Sequence, residues 1–328
     1  VNEKDNETAQ AIFQFILQNT TDESTILNAQ YFLLKNEIAN AKLENYPAIQ
    51  SKFDTLLTQF GESPFSVDVQ ILAAHFKAFY QNDFENSKAL LDKLMEMPLN
   101  IRQKAKVKME LADVFVFNEK FNQAIIYYAQ IQNDLPNDEF SHEASMRMAK
   151  TSFFKKDFNW SMKQAKELKQ ASTQLIANDA VELFLLISDN SAEDSLQVAL
   201  QDFSKADLLE YQNKPAAALD AFLQILVKHK GQSIEAGTLY KVGRNYEKLG
   251  NFAKAISYYQ TILDNHKDGI YIDEALFYSA EIYNKQLNDP EKAKSLYEKV
   301  VLEHPDSIYF TEARKQYRQL RGDKQQGI

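Results

Sequence analysis

Histidines are the first side chains to weigh, because imidazole ligates metals and moves protons near neutral pH. This chain has five. His229, His266 and His304 stand 37 and 38 residues apart, so they fall at one position of a repeating unit. Equivalent positions in stacked helical units lie roughly two helix diameters, ~20 Å, apart. They are therefore expected to share no metal ion. Each is expected to end a helix, where a donor or cation complements the last carbonyls. His75 and His142 have no nearby His or Cys partner and no HExxH context. The chain has no cysteine, which excludes a disulfide framework, a thiolate zinc site and a Cys nucleophile. The segment GRNYEKLGN (243–251) carries two glycines, but inside and at the end of a helical pattern rather than after a strand. No GxSxG elbow occurs. Asp289 and Glu291 form an acid pair in an exposed turn, whereas catalytic carboxylates need a pocket that separates their pKa values. Arg321-Gly322-Asp323 spells a cell-adhesion tripeptide, and three residues at the tail of a helix carry little weight. The expectation is a protein without catalytic residues, cofactor or metal.

The elements that hold these residues can be read from composition and spacing. The 328 residues are 45% hydrophobic and 25% charged, as in a folded globular chain. Glycine and proline number only 8 and 7, which favours helices joined by short turns over sheets and long loops. The net charge of -9 argues against nucleic acid as a partner. The longest apolar runs, such as Leu183 to Ile187, fall far short of the ~20 residues that span a bilayer, so no membrane-spanning segment is expected. No signal peptide is visible, and the start Val-Asn-Glu-Lys reads as that of a processed or trimmed chain, so upstream targeting information could be missing.

One phrase recurs. FAKAISYYQ (252–260) and PEKAKSLYE (290–298) lie 38 residues apart. An aromatic or proline opens the phrase. A small residue follows at the third position after it, a large residue at the seventh and an aliphatic at the tenth, all on one helix face. The pattern fits at Phe84, Phe121, Phe158, Pro215, Phe252 and Pro290, and more weakly at Tyr46. The steps between openings are 38, 37, 37, 57, 37 and 38. A second helix precedes each copy and carries a small residue, such as Ala112, Ala149, Gly243 or Ala280, nine or ten positions before the opening. Helix, turn, helix is the unit, and one unit cannot bury its apolar face alone, so stacking supplies the core.

With Gly243, Tyr246, Gly250, Phe252, Ala255 and Tyr259 in the clearest copy, and Pro136 and Pro305 closing repeats, the chain resembles tetratricopeptide-repeat (TPR) proteins. The step exceeds the family's usual 34 and is similar to the longer variety common in bacterial cell-envelope proteins, with connectors HKDGIYIDEA (266–275) and HPDSIYFTEA (304–313). The resemblance covers roughly residues 24–321 and is strongest over 233–313. It implies an all-α fold: a right-handed TPR-like α-solenoid of about seven helix pairs. It also implies a protein-interaction scaffold that holds a peptide, helix or protein partner in a concave groove, within a periplasmic or outer-membrane-associated assembly. A cytoplasmic adaptor and a self-assembling protein are the alternatives, and an enzyme-associated domain is a distant one.

The 57-residue step contains twenty extra residues, 173–192, whose apolar positions predict one additional helix. The polar cluster Asp189-Asn190-Ser191 marks its boundary, against the alternative of a longer first helix in that repeat. A single added helix should reverse the direction of every later helix. Two superhelical halves, 1–172 and 193–328, are therefore expected, with repeats near 24–60, 66–97, 100–135, 138–171, 193–229, 233–267 and 269–305. A capping helix over 306–321 closes the array.

In this family the first helix of each pair faces the groove. By matching position, the candidate partner-binding residues are Phe76, Tyr80, Met109, Asp113, Phe117, Met146, Lys150, Tyr240, Arg244, Glu247, Phe277 and Glu281, with Phe79 and Phe153 beside them. Packing against the next helix is the competing reading for each Phe, while Arg244, Glu247, Glu281 and Lys150 are expected to face solvent. The pattern does not match the basic clamp some TPR proteins use for C-terminal carboxylates. The last helix is basic, with Arg314, Lys315, Arg318, Arg321 and Lys324, as a solvated cap would be or, alternatively, a surface for an anionic partner.

Overall fold

A computed structural model of the chain describes residues 3–168, 173–191, 197–267 and 269–323. Among these residues there are seventeen α-helices and no strand. A leading helix, α1 (Glu3–Asn19), precedes seven pairs. The pairs are α2 (Glu23–Ala39) with α3 (Tyr46–Phe60), α4 (Val67–Phe79) with α5 (Phe84–Met95), α6 (Ile101–Phe117) with α7 (Phe121–Asp134), and α8 (Glu139–Phe154) with α9 (Phe158–Leu168). Next comes the added helix α10 (Gln174–Ser191). Three pairs follow: α11 (Val198–Tyr211) with α12 (Pro215–Lys228), α13 (Ile234–Lys248) with α14 (Phe252–Asn265), and α15 (Ile272–Lys285) with α16 (Pro290–Glu303). The closing helix is α17 (Phe310–Arg321).

Every second helix starts on the residue that opens the recurring phrase, from Tyr46 to Pro290. The three packing positions of each copy are buried. Ser87, Leu91 and Leu94 fill them in α5, Ala124, Tyr128 and Ile131 in α7, and Ala255, Tyr259 and Ile262 in α14. Where the small residue is serine, its hydroxyl finds a carbonyl on the paired helix: Ser87 Oγ donates to Ala74 O at 2.7 Å and Ser161 Oγ to Ala149 O at 2.8 Å. The close approach is tightest at Gly243, where a Cβ would lie 2.4 Å from Tyr259 Cε1. The small residue of the first helix and the large residue of the second are thus two sides of one contact.

The turn inside each pair has its own rule. Two residues before the second helix the backbone is left-handed at Asn82, Glu119, Lys156, Asn213, Gly250 and Asn288, with φ from 50° to 72°. The next amide then reaches back to a carbonyl of the first helix, as Lys120 N does to Phe115 O and Asn251 N to Tyr246 O, both at 2.8 Å. This closes the helix with satisfied carbonyls in a Schellman-type turn. In α5, α14 and α16 the residue just before the helix also caps it, through Asp83, Asn251 and Asp289 side chains.

By contacts the chain divides into two compact units, residues 1–144 and 145–328, with the boundary inside α8 rather than at the added helix. Residues 169–172 and 192–196, where the expected halves would end and begin, lie outside the described residues, as does Lys324. In the first unit, Asp68 of α4 meets Lys106 of α6 at 2.8 Å and the Phe79 ring meets Phe117 at 4.7 Å, both 38 residues on. In the second, Lys150 of α8 meets Asp207 of α11 at 2.5 Å and the Phe154 ring meets Tyr211 at 5.6 Å, both 57 residues on. First helices therefore lie side by side in the same direction across the insertion. The expected reversal does not occur, because the chain sets α10 aside instead of counting it into the alternation.

Candidate functional site

In residues 1–144 most of the expected groove side chains are packing residues. Phe76 is fully buried against Phe53 and Tyr46, and Met109 and Phe117 are buried as well. Tyr80 is half-buried, stacked on Phe76 at 5.6 Å, and burial pushes its hydroxyl pKa up. Asp113 is buried and accepts from Tyr128 Oη at 2.6 Å. The first helices stack so closely here that aromatic side chains at these positions fill the seam between neighbours.

In residues 145–328 the same positions divide. Phe277 is buried, stacked on Tyr309 at 4.5 Å, and Met146 is half-buried. Glu247 and Glu281, expected to face solvent, are instead acceptors for buried tyrosines: Tyr259 Oη donates to Glu247 at 3.1 Å and Tyr297 Oη to Glu281. With Tyr128 and Asp113, this makes one device used in three repeats. A tyrosine at the large packing position puts its hydroxyl in the interior, and an acid on the first helix must satisfy it. Lys150, also expected in solvent, begins a ladder. Asp207 is buried between Lys150 and Lys241, the latter at 2.8 Å, and Lys241 and Lys248 both pair with Glu210. Burial opposes the Asp207 charge, but the two lysines outweigh it and hold the carboxyl below the ordinary aspartate range.

What remains only partly buried is a strip of Tyr240, Arg244, Tyr278 and Tyr309 on α13, α15 and the approach to α17. The Arg244 guanidinium lies 3.7 Å from the Tyr278 ring centroid and donates to Glu247 at 2.7 Å. Tyr240 stacks on Tyr271 at 5.1 Å and leans on Tyr278 at 6.3 Å. The Tyr278 and Tyr309 hydroxyls meet at 3.3 Å. Burial pushes the Tyr240 and Tyr309 hydroxyls well above the usual tyrosine range. Beside them Glu274 has a buried Oε2 without a partner, and burial, aided by Asp273, pushes its carboxyl up to about 10. Of the strip, Tyr240 and Arg244 were among the candidates from the sequence. Tyr271, Tyr278, Tyr309 and Glu274 were not. The 38-residue echo of Tyr240 at Tyr278 was a signal that could have found one of them.

Other residues weighed for chemistry form helix caps and ion pairs. His229, His266 and His304 are the C-caps of α12, α14 and α16, and buried His229 also meets Asp202 at 2.9 Å. His75 pairs with Glu110 at 2.8 Å. Among the described residues no cluster of His, Cys, Asp and Glu could hold a metal. No described helix is long and apolar enough to cross a membrane. Arg321 and Asp323 pair with each other around left-handed Gly322, which caps α17.

Residues 238–269 and 274–307 match the tetratricopeptide repeat family model, and each match begins in a first helix, α13 or α15, and ends just past its partner. The chain carries tetratricopeptide repeats. Its fold is similar to a tetratricopeptide repeat protein from Parabacteroides merdae, at 10% identity, 88% and 98% coverage of this and that chain, and a TM-score of 0.33. It is also similar to Pseudomonas aeruginosa pilF, at 15% identity, 76% and 97% coverage, and a TM-score of 0.32. No curated protein matches the sequence of this chain. Proteins of this fold generally serve as scaffolds for protein–protein interaction.

Proposed function

We propose that this TPR protein is a non-catalytic scaffold that holds a protein segment against the first-helix face of residues 145–328. The observation that carries this reading is the partly exposed strip of Tyr240, Arg244, Tyr278 and Tyr309. Tyrosine and arginine offer large contact area at modest entropic cost and dominate the energetics of many interfaces. Most corresponding positions in residues 1–144 are consumed by packing, which leaves the second unit as the binding one. The 37–38-residue step and the connectors HKDGIYIDEA and HPDSIYFTEA support a setting in a bacterial envelope assembly, periplasmic or outer-membrane-associated, which fractionation of the native host tests.

The test of the binding face is Arg244→Glu. It places like charge beside Glu247 and removes the cation from Tyr278, so it should weaken partner capture by tenfold or more at unchanged helicity. The unmodified chain and the variant would be compared as baits in a host lysate. Identical sets of captured proteins, with equal yields, would rule the strip out as the binding face.

A further inference from the structure

The strip already has a neighbour from its own chain. Helix α10 packs along α9 but also touches α11 and α13, the first helices of the next two repeats. Glu182, in the middle of α10, accepts from Tyr271 Oη at 3.3 Å, and its charge also bears on Tyr240 and Lys241. Tyr271 is pressed against α13 where Gly237 has no side chain, since a Cβ there would lie 3.1 Å from the Tyr271 hydroxyl. The glycine thus helps to set the hydroxyl where it meets α10.

Two observations say that this contact is separable from the architecture. First, α8 and α11 pair directly through Lys150–Asp207 and Phe154–Tyr211, so the repeats stack without counting α10. Second, α10 does not close on α13 along its whole length. Beyond Glu182 a cleft of about 350 Å³ opens between them, lined by Leu186 and Asn190 of α10, Ser233 and Gly237 at the start of α13, and His266 and Tyr271 from the connector. A close-packed core leaves few voids larger than a water molecule. Along α13, α10 thus makes a few close backbone approaches beside that open space, and its hydrogen bond goes to Tyr271 at the start of α15.

We infer that α10 is a resident occupant of the first-helix face at α11, α13 and Tyr271, the N-cap of α15. It gives way there to a partner's amphipathic helix whose carboxylate takes the place of Glu182 on Tyr271. The chemistry of the partner is read from the side of α10 that meets this face: a central acid at Glu182, an aliphatic four residues on at Leu186, and polar groups at Asp189 and Asn190. This rests on the reading of that face as the binding one, and it adds that the face is competed for by the chain itself.

Native-state hydrogen exchange on the full chain tests the occupant without any partner. Amides of 176–190 should exchange by local opening, at least tenfold faster than those of α11 and α13. The variant Glu182→Lys, which removes the acceptor and sets like charge near Lys241, should raise exchange in α10 about tenfold more and leave α11 and α13 unchanged. A labelled synthetic peptide of residues 173–191 should then bind the Glu182→Lys protein at least tenfold more tightly than the unmodified chain. The same peptide carrying Lys at the Glu182 position should not bind. Exchange of α10 in step with α13, no response to Glu182→Lys, or no binding of the peptide to either protein would each overturn the inference. Such a failure is separate from that of the binding face: Arg244→Glu can still abolish capture when α10 proves fixed, and α10 can open when Arg244→Glu has no effect.

Discussion

At Gly243 a single missing methyl group sets the spacing of two helices, because the Tyr259 ring lies where a Cβ would project. Gly243→Ala should therefore destabilise the chain by about 1–3 kcal/mol, the usual range for overpacking, measured as a lower midpoint in urea with unchanged native helicity. An unchanged midpoint would mean that Tyr259 has room to move. Glu274 poses a different problem, since its carboxyl is buried and pushed up from the ordinary glutamate value to about 10. A raised folded-state pKa favours the native state fully only below the unfolded value, near 4.5, and that contribution is lost as pH rises toward 10. Glu274→Gln cannot ionise. Its stability relative to the unmodified chain should rise between pH 5 and pH 9, by about 1 kcal/mol or more. Parallel pH profiles from chemical denaturation would contradict the buried acid.

The helices were legible because their period is written in side-chain size. Small, large and aliphatic residues at offsets of three, seven and ten came out buried in all seven copies, and each copy opened a helix. The turns were less legible. Gly250 reads as a helix stop, but the same left-handed position is filled by Asn82, Asn213, Asn288, Glu119 and Lys156 elsewhere, so residue type alone hides the rule. A lysine in that conformation carries a cost of roughly 1–2 kcal/mol that glycine avoids, partly offset by glycine's greater freedom in the unfolded chain. Lys156→Gly should thus stabilise by about 0.5–1 kcal/mol, while Asn82→Gly changes little; equal effects in denaturant melts would refute the difference. The groove acids were misread for a related reason. Glu247 and Glu281 read as solvent-facing charges and Asp113 as a groove residue, and only the position of a buried tyrosine hydroxyl reveals why they point inward.

For the chain as a whole, twenty added residues were visible in the sequence, but their consequence was not. Alternation of direction holds only for helices that enter the stack. The offset of 57 residues in the Lys150–Asp207 and Phe154–Tyr211 contacts shows that α10 stays out of it. A double-mutant cycle on Lys150→Ala and Asp207→Ala should give a coupling of about 1–3 kcal/mol, as expected for contacting groups. Additive effects would separate α8 from α11.

That direct contact has a mechanical side. When the two ends of residues 145–328 are pulled apart, load passes from α8 to α11 through their shared surface and bypasses α9 and α10. Residues 155–197 are then hidden length. Once α8 and α11 shear apart, they would add up to about 150 Å of extension at ~3.5 Å per residue, in a single step larger than the loss of any one turn.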